Sequence, residues 1–365
     1  MKIGIIGAGP IGCYIGMLLA KDHDVKIFDM KEKIGLPVRC TGLLSKEISH
    51  FKIDDKIILN RIENIKVKSK NQYVNFKLKK KELVLCRASF DEQIYNLAKK
   101  NNVKFFFNKK FIEFKNNIAS FETNKKNELF KIKFDFLIGA DGPNSKVRNL
   151  INKNKTKNWI AIQSDVINKK DVEKDTFEVY LGEEFKDFFG WKVPVNDELS
   201  RVGFASKKRN LEAEKKLKIK NLSGGLIPVY NPNLVVIKNN IALVGDAATH
   251  VKATTGGGLI QGLNGALEIY NIINNKNIRN NNQIIKNKNL KLHKTLKLHL
   301  LLRNILNEFS DKDYDYLLKL CNQNKIKKII SENDREKPLK MILKIILKEP
   351  KFLKYGKYLF NLVKI

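Results

Sequence analysis

Acidic residues are scarce in this 365-residue chain: 38 Asp and Glu stand against 70 Lys and Arg, for a formal net charge of +32. Lysines punctuate every segment instead of forming one block, so compositional bias is one reading of the charge. Attraction to an anionic membrane surface is a second. Nucleic-acid binding is disfavoured, because no recognised module and no basic-aromatic RNA motif accompanies the charge. The four cysteines, Cys13, Cys40, Cys86 and Cys321, show no C-x-x-C spacing and join no His/Cys cluster, which argues against zinc and for a reducing compartment. No window reaches the roughly eighteen apolar residues of a membrane span. Lys2 is followed at once by a strand-like run, so no secretory leader is expected and a cytoplasmic place is, with peripheral attachment to the inner face of the cell membrane kept open. No internal repeat and no linker rich in Pro, Gly or Ser divides the chain into independent units.

Glycine is present where it matters. Gly7-Ala8-Gly9-Pro10-Ile11-Gly12 has the G-x-G-x-x-G spacing between a buried-type strand, residues 2–7, and a helix, residues 10–20. In that motif the first glycine permits the turn, the second leaves room for a pyrophosphate and the third lets helix and strand pack closely. The helix start offers free N–H groups and partial positive charge to phosphate. Asp29, ending a second strand at 25–29, is placed to accept hydrogen bonds from a ribose. A second cluster lies far downstream: an apolar run ends in Gly245-Asp246-Ala247-Ala248, followed by Thr254-Thr255-Gly256-Gly257-Gly258. An acid ending an apolar strand calls for a buried partner. The pair suggests a dinucleotide held along its whole length.

The pattern elsewhere predicts an α/β protein, α+β overall: a Rossmann-type domain with an inserted, largely antiparallel sheet and a helical C-terminal region. The expected boundaries are 1–155 plus 236–285 for the nucleotide domain, 156–235 for the sheet domain and 286–365 for the basic helical region. Residues 51–80 read as short lysine-decorated strands that could join the inserted sheet. Residues 112–121 read as one strand, and 134–139 as an apolar strand ending in Ala140-Asp141-Gly142. In the tail, leucines and isoleucines interleaved with lysines over 340–348 suit a helix at a membrane interface, and equally a helix packed on the sheet domain. Lys252 reads as a surface lysine in so basic a chain.

Gly35-Leu36-Pro37-Val38-Arg39-Cys40-Thr41-Gly42, Arg87-Ala88-Ser89-Phe90-Asp91, Gly139-Ala140-Asp141-Gly142-Pro143-Asn144-Ser145 and the run from Gly245 to Gly258 together resemble the geranylgeranyl reductase family. The resemblance covers nearly the whole chain and points to its archaeal digeranylgeranylglycerophospholipid reductase branch. It implies an FAD enzyme, related to the aromatic hydroxylases, that saturates isoprenoid double bonds of geranylgeranyl ether lipids such as digeranylgeranylglyceryl phosphate. It implies that Gly7, Gly9, Gly12 and Asp29 hold the adenosine and pyrophosphate, with Asp141 reaching toward the latter. Arg39 and Cys40 would lie beside the flavin, Arg87 would contact FAD, and Asp246 would bind the ribityl chain or pyrophosphate. Gly256, Gly257 and Gly258 would bring N–H groups to the ring, and Cys40 is the candidate for protonating the substrate. Phe189 and Trp191 are the candidates for an isoprenoid pocket. The chain departs from the family at Lys186, Phe189 and Val193, where Pro, Tyr and Phe are usual, and at Asp29, where Glu is usual. A ferredoxin, a deazaflavin and NADPH all remain as electron donors. An FAD monooxygenase of the aromatic-hydroxylase type and a non-catalytic flavin- and lipid-binding protein are the competing readings.

Overall fold

A computed structural model describes residues 1–38, 40–44, 48, 50–123, 129–168, 172–217, 222–274, 284–333 and 338–358. The chain divides into two units. The first comprises Met1–Val38, Arg87–Asn158 and Ile227–Lys297; the second comprises Arg39–Cys86, Trp159–Leu226 and Leu298–Ile365. These units divide the chain differently from the expected boundaries, and residues 51–80 fall with the inserted sheet, the alternative left open for them. Residues 39–86 leave the nucleotide domain, and the C-terminal region contributes to both units instead of standing alone.

The first unit is built on a seven-stranded sheet in the order Ile284–Lys286, Val235–Lys238, Ile241–Leu243, Phe136–Gly139, Lys2–Ile6, Asp24–Phe28, Lys104–Phe106. The last five strands are parallel, and strands such as Ile3-Gly4-Ile5-Ile6 are buried throughout, as two covered faces require. From Lys2–Ile6 the chain proceeds to Asp24–Phe28 on one side, while the other side is taken by Phe136–Gly139. That reversal at the carboxyl ends of Lys2–Ile6 and Phe136–Gly139 is a topological switch point, the position at which open parallel sheets receive ligands. Val235–Lys238 pairs antiparallel with Ile241–Leu243 and so joins this sheet.

Residues 112–121 form two strands, Lys110–Lys115 and Ile118–Glu122. Asn116 and Asn117 lie between them with φ of 49° and 62°, the conformation of a tight hairpin turn. With Leu129–Lys133 they make a three-stranded sheet. Its Phe121 stacks on Phe28 at 4.4 Å between centroids, with Phe106 stacked on the same ring at 4.9 Å.

The second unit holds an eight-stranded sheet in the order Ser223–Pro228, Asn158–Ile167, Leu199–Ser206, Gly190–Pro194, Thr176–Tyr180, Ile58–Lys68, Tyr73–Leu85, Leu43–Leu44. Its described pairings are antiparallel except that between Thr176–Tyr180 and Ile58–Lys68. The short strands expected over 51–80 are thus one long hairpin. Val74 and Phe76 of that hairpin form a core with Leu318 and Cys321 of the helix Asp311–Cys321.

Candidate functional site

The first unit gathers its candidates at one edge of the seven-stranded sheet. Gly7 follows Ile6, Asp29 follows Phe28, Asp141 lies just beyond Gly139, and Asp246 lies three residues beyond Leu243. Because these four strands are parallel, all four residues emerge at the carboxyl edge.

Gly7 has φ of +105°, and a Cβ there would collide with the Ala140 carbonyl, so both conformation and space require glycine. A Cβ on Gly12 would likewise strike the Gly7 carbonyl, which is what lets the helix Pro10–Leu19 sit against the turn. Gly9 differs: nothing lies within 4 Å of its absent Cβ. The Asp29 carboxylate accepts from Ala8 N at 2.8 Å and from Lys31 N at 2.9 Å, fastening the turn to the second strand.

Asp141 Oδ2 accepts from Lys146 N at 2.7 Å and Val147 N at 3.3 Å, at the start of the helix Lys146–Ile151. Its Oδ1 is buried with no hydrogen-bond partner. Burial pushes this carboxyl above the usual range, against the opposing hydrogen bonds from Ser145 and the backbone. Arg148, absent from the expected residues, is buried nearby and donates to Pro143 O at 2.7 Å and Ala247 O at 3.3 Å. It ties the Asp141 turn to the Gly-Asp turn.

Asp246 sits in the short 3₁₀ turn Gly245–Ala248. Burial pushes its carboxyl up to about 6, with the field of Arg87 pulling the other way. Arg87 opens the helix Arg87–Lys100 and donates from Nη2 to Asp91 at 2.7 Å. Gly258 precedes the helix Leu259–Asn274, and a Cβ on it would lie 3.0 Å from Asp246 Oδ1. Gly256, Gly257 and Gly258, partly exposed, therefore bring a helix N-terminus beside a buried acid.

Behind this turn is a lattice that local spacing gave no means to foresee. Asn287 Nδ2 donates to Ala248 O and Asn231 O, both at 2.8 Å, which orients its Oδ1 toward His250 Nε2 at 3.0 Å. His250 is fully buried, and burial pushes it down to about 4. It is thus a neutral, Nε2-protonated structural group, with Nδ1 against Gly265 and no hydrogen-bond partner. Lys252 is corrected from surface to buried: it is 9% exposed, and its Nζ lies 3.7 Å from the position a Gly257 Cβ would take.

In the second unit, Cys40 is half-buried and its Sγ accepts from Gly42 N at 3.4 Å. Arg39 lies outside the described residues. Thr41 Oγ1 donates to Gln163 Oε1 at 3.1 Å, and Thr41 O accepts from Arg201 Nη1 at 2.8 Å. Gln163 pairs across the strands with Gly203, and Gly203 with Trp191, so all three share one face of the sheet. A Cβ on Gly203 would lie 2.6 Å from Trp191 Cζ2; its absence lets the indole lie over the strand. Phe189 meets Trp191 edge-on at 5.9 Å and stacks on Phe188 at 4.5 Å. Arg303, 1% exposed, lies 4.8 Å from the Phe188 ring and donates to Phe188 O at 2.9 Å. The Cys40 loop and the aromatic wall are linked through Gln163, a residue whose importance only strand pairing reveals.

No protein-family model matches the chain. An uncharacterized protein of Methanocaldococcus jannaschii is 29% identical over 283 residues, 72% of each chain. A digeranylgeranylglycerophospholipid reductase of Methanosphaera stadtmanae is 25% identical over 381 residues, 93% of this chain and 94% of the relative. Among solved structures, a geranylgeranyl bacteriochlorophyll reductase-like protein of Thermoplasma acidophilum matches with a TM-score of 0.80 over 97% of both chains at 21% identity. A halogenase in complex with FAD matches with a TM-score of 0.64 at 15% identity, over 94% of this chain and 85% of the other. By sequence the chain is similar to archaeal digeranylgeranylglycerophospholipid reductases, and its fold is that of the geranylgeranyl bacteriochlorophyll reductase-like protein.

Proposed function

We propose that the protein is an FAD-dependent oxidoreductase that saturates isoprenoid double bonds of geranylgeranyl ether lipids, with digeranylgeranylglyceryl phosphate as the model substrate. The observation that carries the reading is the convergence of Gly9, Asp29, Asp141, Asp246 and the Gly256–Gly258 helix start on one edge of a parallel sheet. The residues fit FAD on their own chemistry. The open side of Gly9 leaves room for a pyrophosphate at the N-terminus of the helix Pro10–Leu19. Asp29 would take the adenosine ribose. Asp246, whose carboxyl burial pushes up to about 6, would accept from a ribityl hydroxyl, and the unpartnered Asp141 Oδ1 is a further acceptor.

When bound, FAD supplies the electron pair for reducing an isolated double bond. The protein's own part is electrostatic and geometric. The N-terminus of the helix Leu259–Asn274 offers positive potential to a ring that gains negative charge. Cys40 Sγ, or a water beside it, would deliver the proton that completes saturation. The buried rings of Phe188, Phe189 and Trp191 would supply the apolar lining an isoprenoid chain requires. The Lys186, Phe189 and Val193 departures fall in or beside this wall, so chain and head-group preference are where this protein should differ from its relatives.

The test is anaerobic. The protein is loaded with FAD, reduced with dithionite and mixed with digeranylgeranylglyceryl phosphate, and the lipid is analysed by mass spectrometry. Products that gain hydrogen in pairs, as the oxidised flavin spectrum returns, are expected. Reoxidation that needs oxygen and leaves the lipid mass unchanged would overturn the reductase reading in favour of monooxygenase chemistry.

A further inference from the structure

The helix Pro338–Lys348 divides its residues between two environments. Pro338 and Ile345 are buried, whereas Leu339, Leu343 and Leu347 are 57%, 53% and 81% exposed. The three leucines recur every fourth residue and so form one stripe along the helix. Lys340, Lys344 and Lys348, also exposed, follow each leucine by one residue and form a second stripe beside the first. The pattern continues past the helix, with Leu353 at 61% exposure and Lys351 and Lys354 exposed beside it. A single exposed leucine needs no explanation. A ladder of them in step with a ladder of lysines does.

Charge narrows the occupant. From residue 338 onward the sequence carries seven lysines and one acid, Glu349. Glu349 is already engaged by Lys325 Nζ at 3.0 Å. Lys344 donates to the Asn333 amide at 3.0 Å, a neutral partner that brings no counter-charge. A second copy of the same face would set lysine ladder against lysine ladder, which is repulsive. An apolar protein partner would bury the lysines without counter-charge. An anionic bilayer satisfies both stripes: leucines enter the boundary of the acyl region, while lysine stems lie along it and carry their ammonium groups to lipid phosphates.

We infer that the Leu339–Leu343–Leu347 face, with its lysine stripe, docks this protein on the surface of an anionic lipid bilayer. The inference stands apart from the proposed reduction, because it concerns the exposed face of one helix and no redox step.

The experiment is flotation of the full-length protein with vesicles of saturated phosphatidylcholine, with or without roughly one-third phosphatidylglycerol. These vesicles contain no isoprenoid double bond, so binding is read independently of any turnover. Binding to the anionic vesicles, falling as salt rises, is expected. Lys340→Gln/Lys344→Gln/Lys348→Gln should weaken it by about fivefold per lysine, on the order of a hundredfold in all. Leu343→Gln/Leu347→Gln leaves the charge unchanged and should still weaken it by at least about tenfold. Circular dichroism should match the wild type for both variants, since the altered side chains face solvent. Should the leucine pair misfold, Leu339→Ser/Leu347→Ser provides the same reading. Wild-type protein that ignores anionic vesicles would overturn the inference. So would leucine variants that bind as the wild type does, since diffuse charge would then suffice. Sedimentation velocity supplies the last arm: a wild-type dimer dissociated by the leucine changes would assign the face to a second copy.

Discussion

Replacing Asp246 by Asn removes a charge that the surrounding protein holds at a disadvantage. Burial pushes this carboxyl from its ordinary 3.8 to about 6, even with Arg87 opposing. At about 1.4 kcal/mol per unit, that shift corresponds to about 3 kcal/mol of lost stability when the group is ionised, with about 1 kcal/mol as the lower bound. The sign follows from proton counting. Below about pH 3.8 the carboxyl is protonated in both folded and unfolded chains, so the variant gains nothing. Between 3.8 and about 6 the folded protein retains a proton that the unfolded chain releases, and stability falls as pH rises. Above about 6 the whole penalty is present. His250 works in the opposite direction over the same range. Burial pushes it down to about 4, so acidification from 6.5 toward 4 destabilises the fold. Both proteins share that loss, and comparing variant with wild type at each pH cancels it. Urea unfolding of FAD-free protein near pH 8 should therefore show Asp246→Asn to be more stable by about 1–3 kcal/mol, with the gain vanishing near pH 4. The same variant should bind FAD more weakly by roughly ten- to a hundredfold, as loss of a charge-assisted hydrogen bond implies. A gain that persists unchanged near pH 4, or no gain near pH 8, would refute the reasoning. So would undiminished FAD affinity. Stability gained by removing a functional group is the usual mark of a strained site.

Three further outcomes follow from particular contacts. Gly265→Ala drives a methyl group into the buried His250 ring and should destabilise the FAD-loaded and FAD-free protein alike, by about 1–3 kcal/mol in chemical unfolding; a neutral result would mean that the ring has room to move. Arg303→Met removes a guanidinium that burial pushes down to about 10 and that remains charged at neutral pH. It leaves the Phe188 carbonyl without that donor, so a loss of about 1–3 kcal/mol is expected, with FAD affinity within twofold of wild type. Cys40→Ala should retain FAD and flavin reduction by dithionite while slowing lipid saturation in single-turnover mixing; an unchanged rate would remove Cys40 from proton delivery.

How much of this could be read from the sequence depends on how local each signal is. The G-x-G-x-x-G turn, Asp29 and the Gly-Asp turn were legible because strand, turn and helix follow one another within a few residues. The hairpin Ile58–Lys68 and Tyr73–Leu85 was not. Lys79-Lys80-Lys81 interrupts its apolar alternation and reads as a break; the strand runs on through an irregularity there, with register pairs on either side, Ile62 with Glu82 and Asn64 with Lys77. The turn at Asn116-Asn117 was hidden for the opposite reason, because apolar residues on both sides made one uninterrupted strand pattern. Lys252 was lost among many lysines, and only its packing across Gly257 sets it apart. Asn287 and Arg303 act on partners 37 or more residues away, His250 and Phe188, through contacts with no counterpart in spacing. Local chemistry was readable; tertiary support of that chemistry was not.

The central claim is that the carboxyl edge of the seven-stranded sheet is an FAD site, and Gly9 tests it most directly. Its absent Cβ faces open space, so Gly9→Val should fold as the wild type does while filling the room kept for the pyrophosphate. Titration of flavin-free protein with FAD, followed by flavin fluorescence and by urea unfolding, should show saturable binding and ligand-induced stabilisation for the wild type and neither for a folded Gly9→Val. Wild-type protein that takes up no flavin, or a Gly9→Val variant that binds it equally well, would contradict the account.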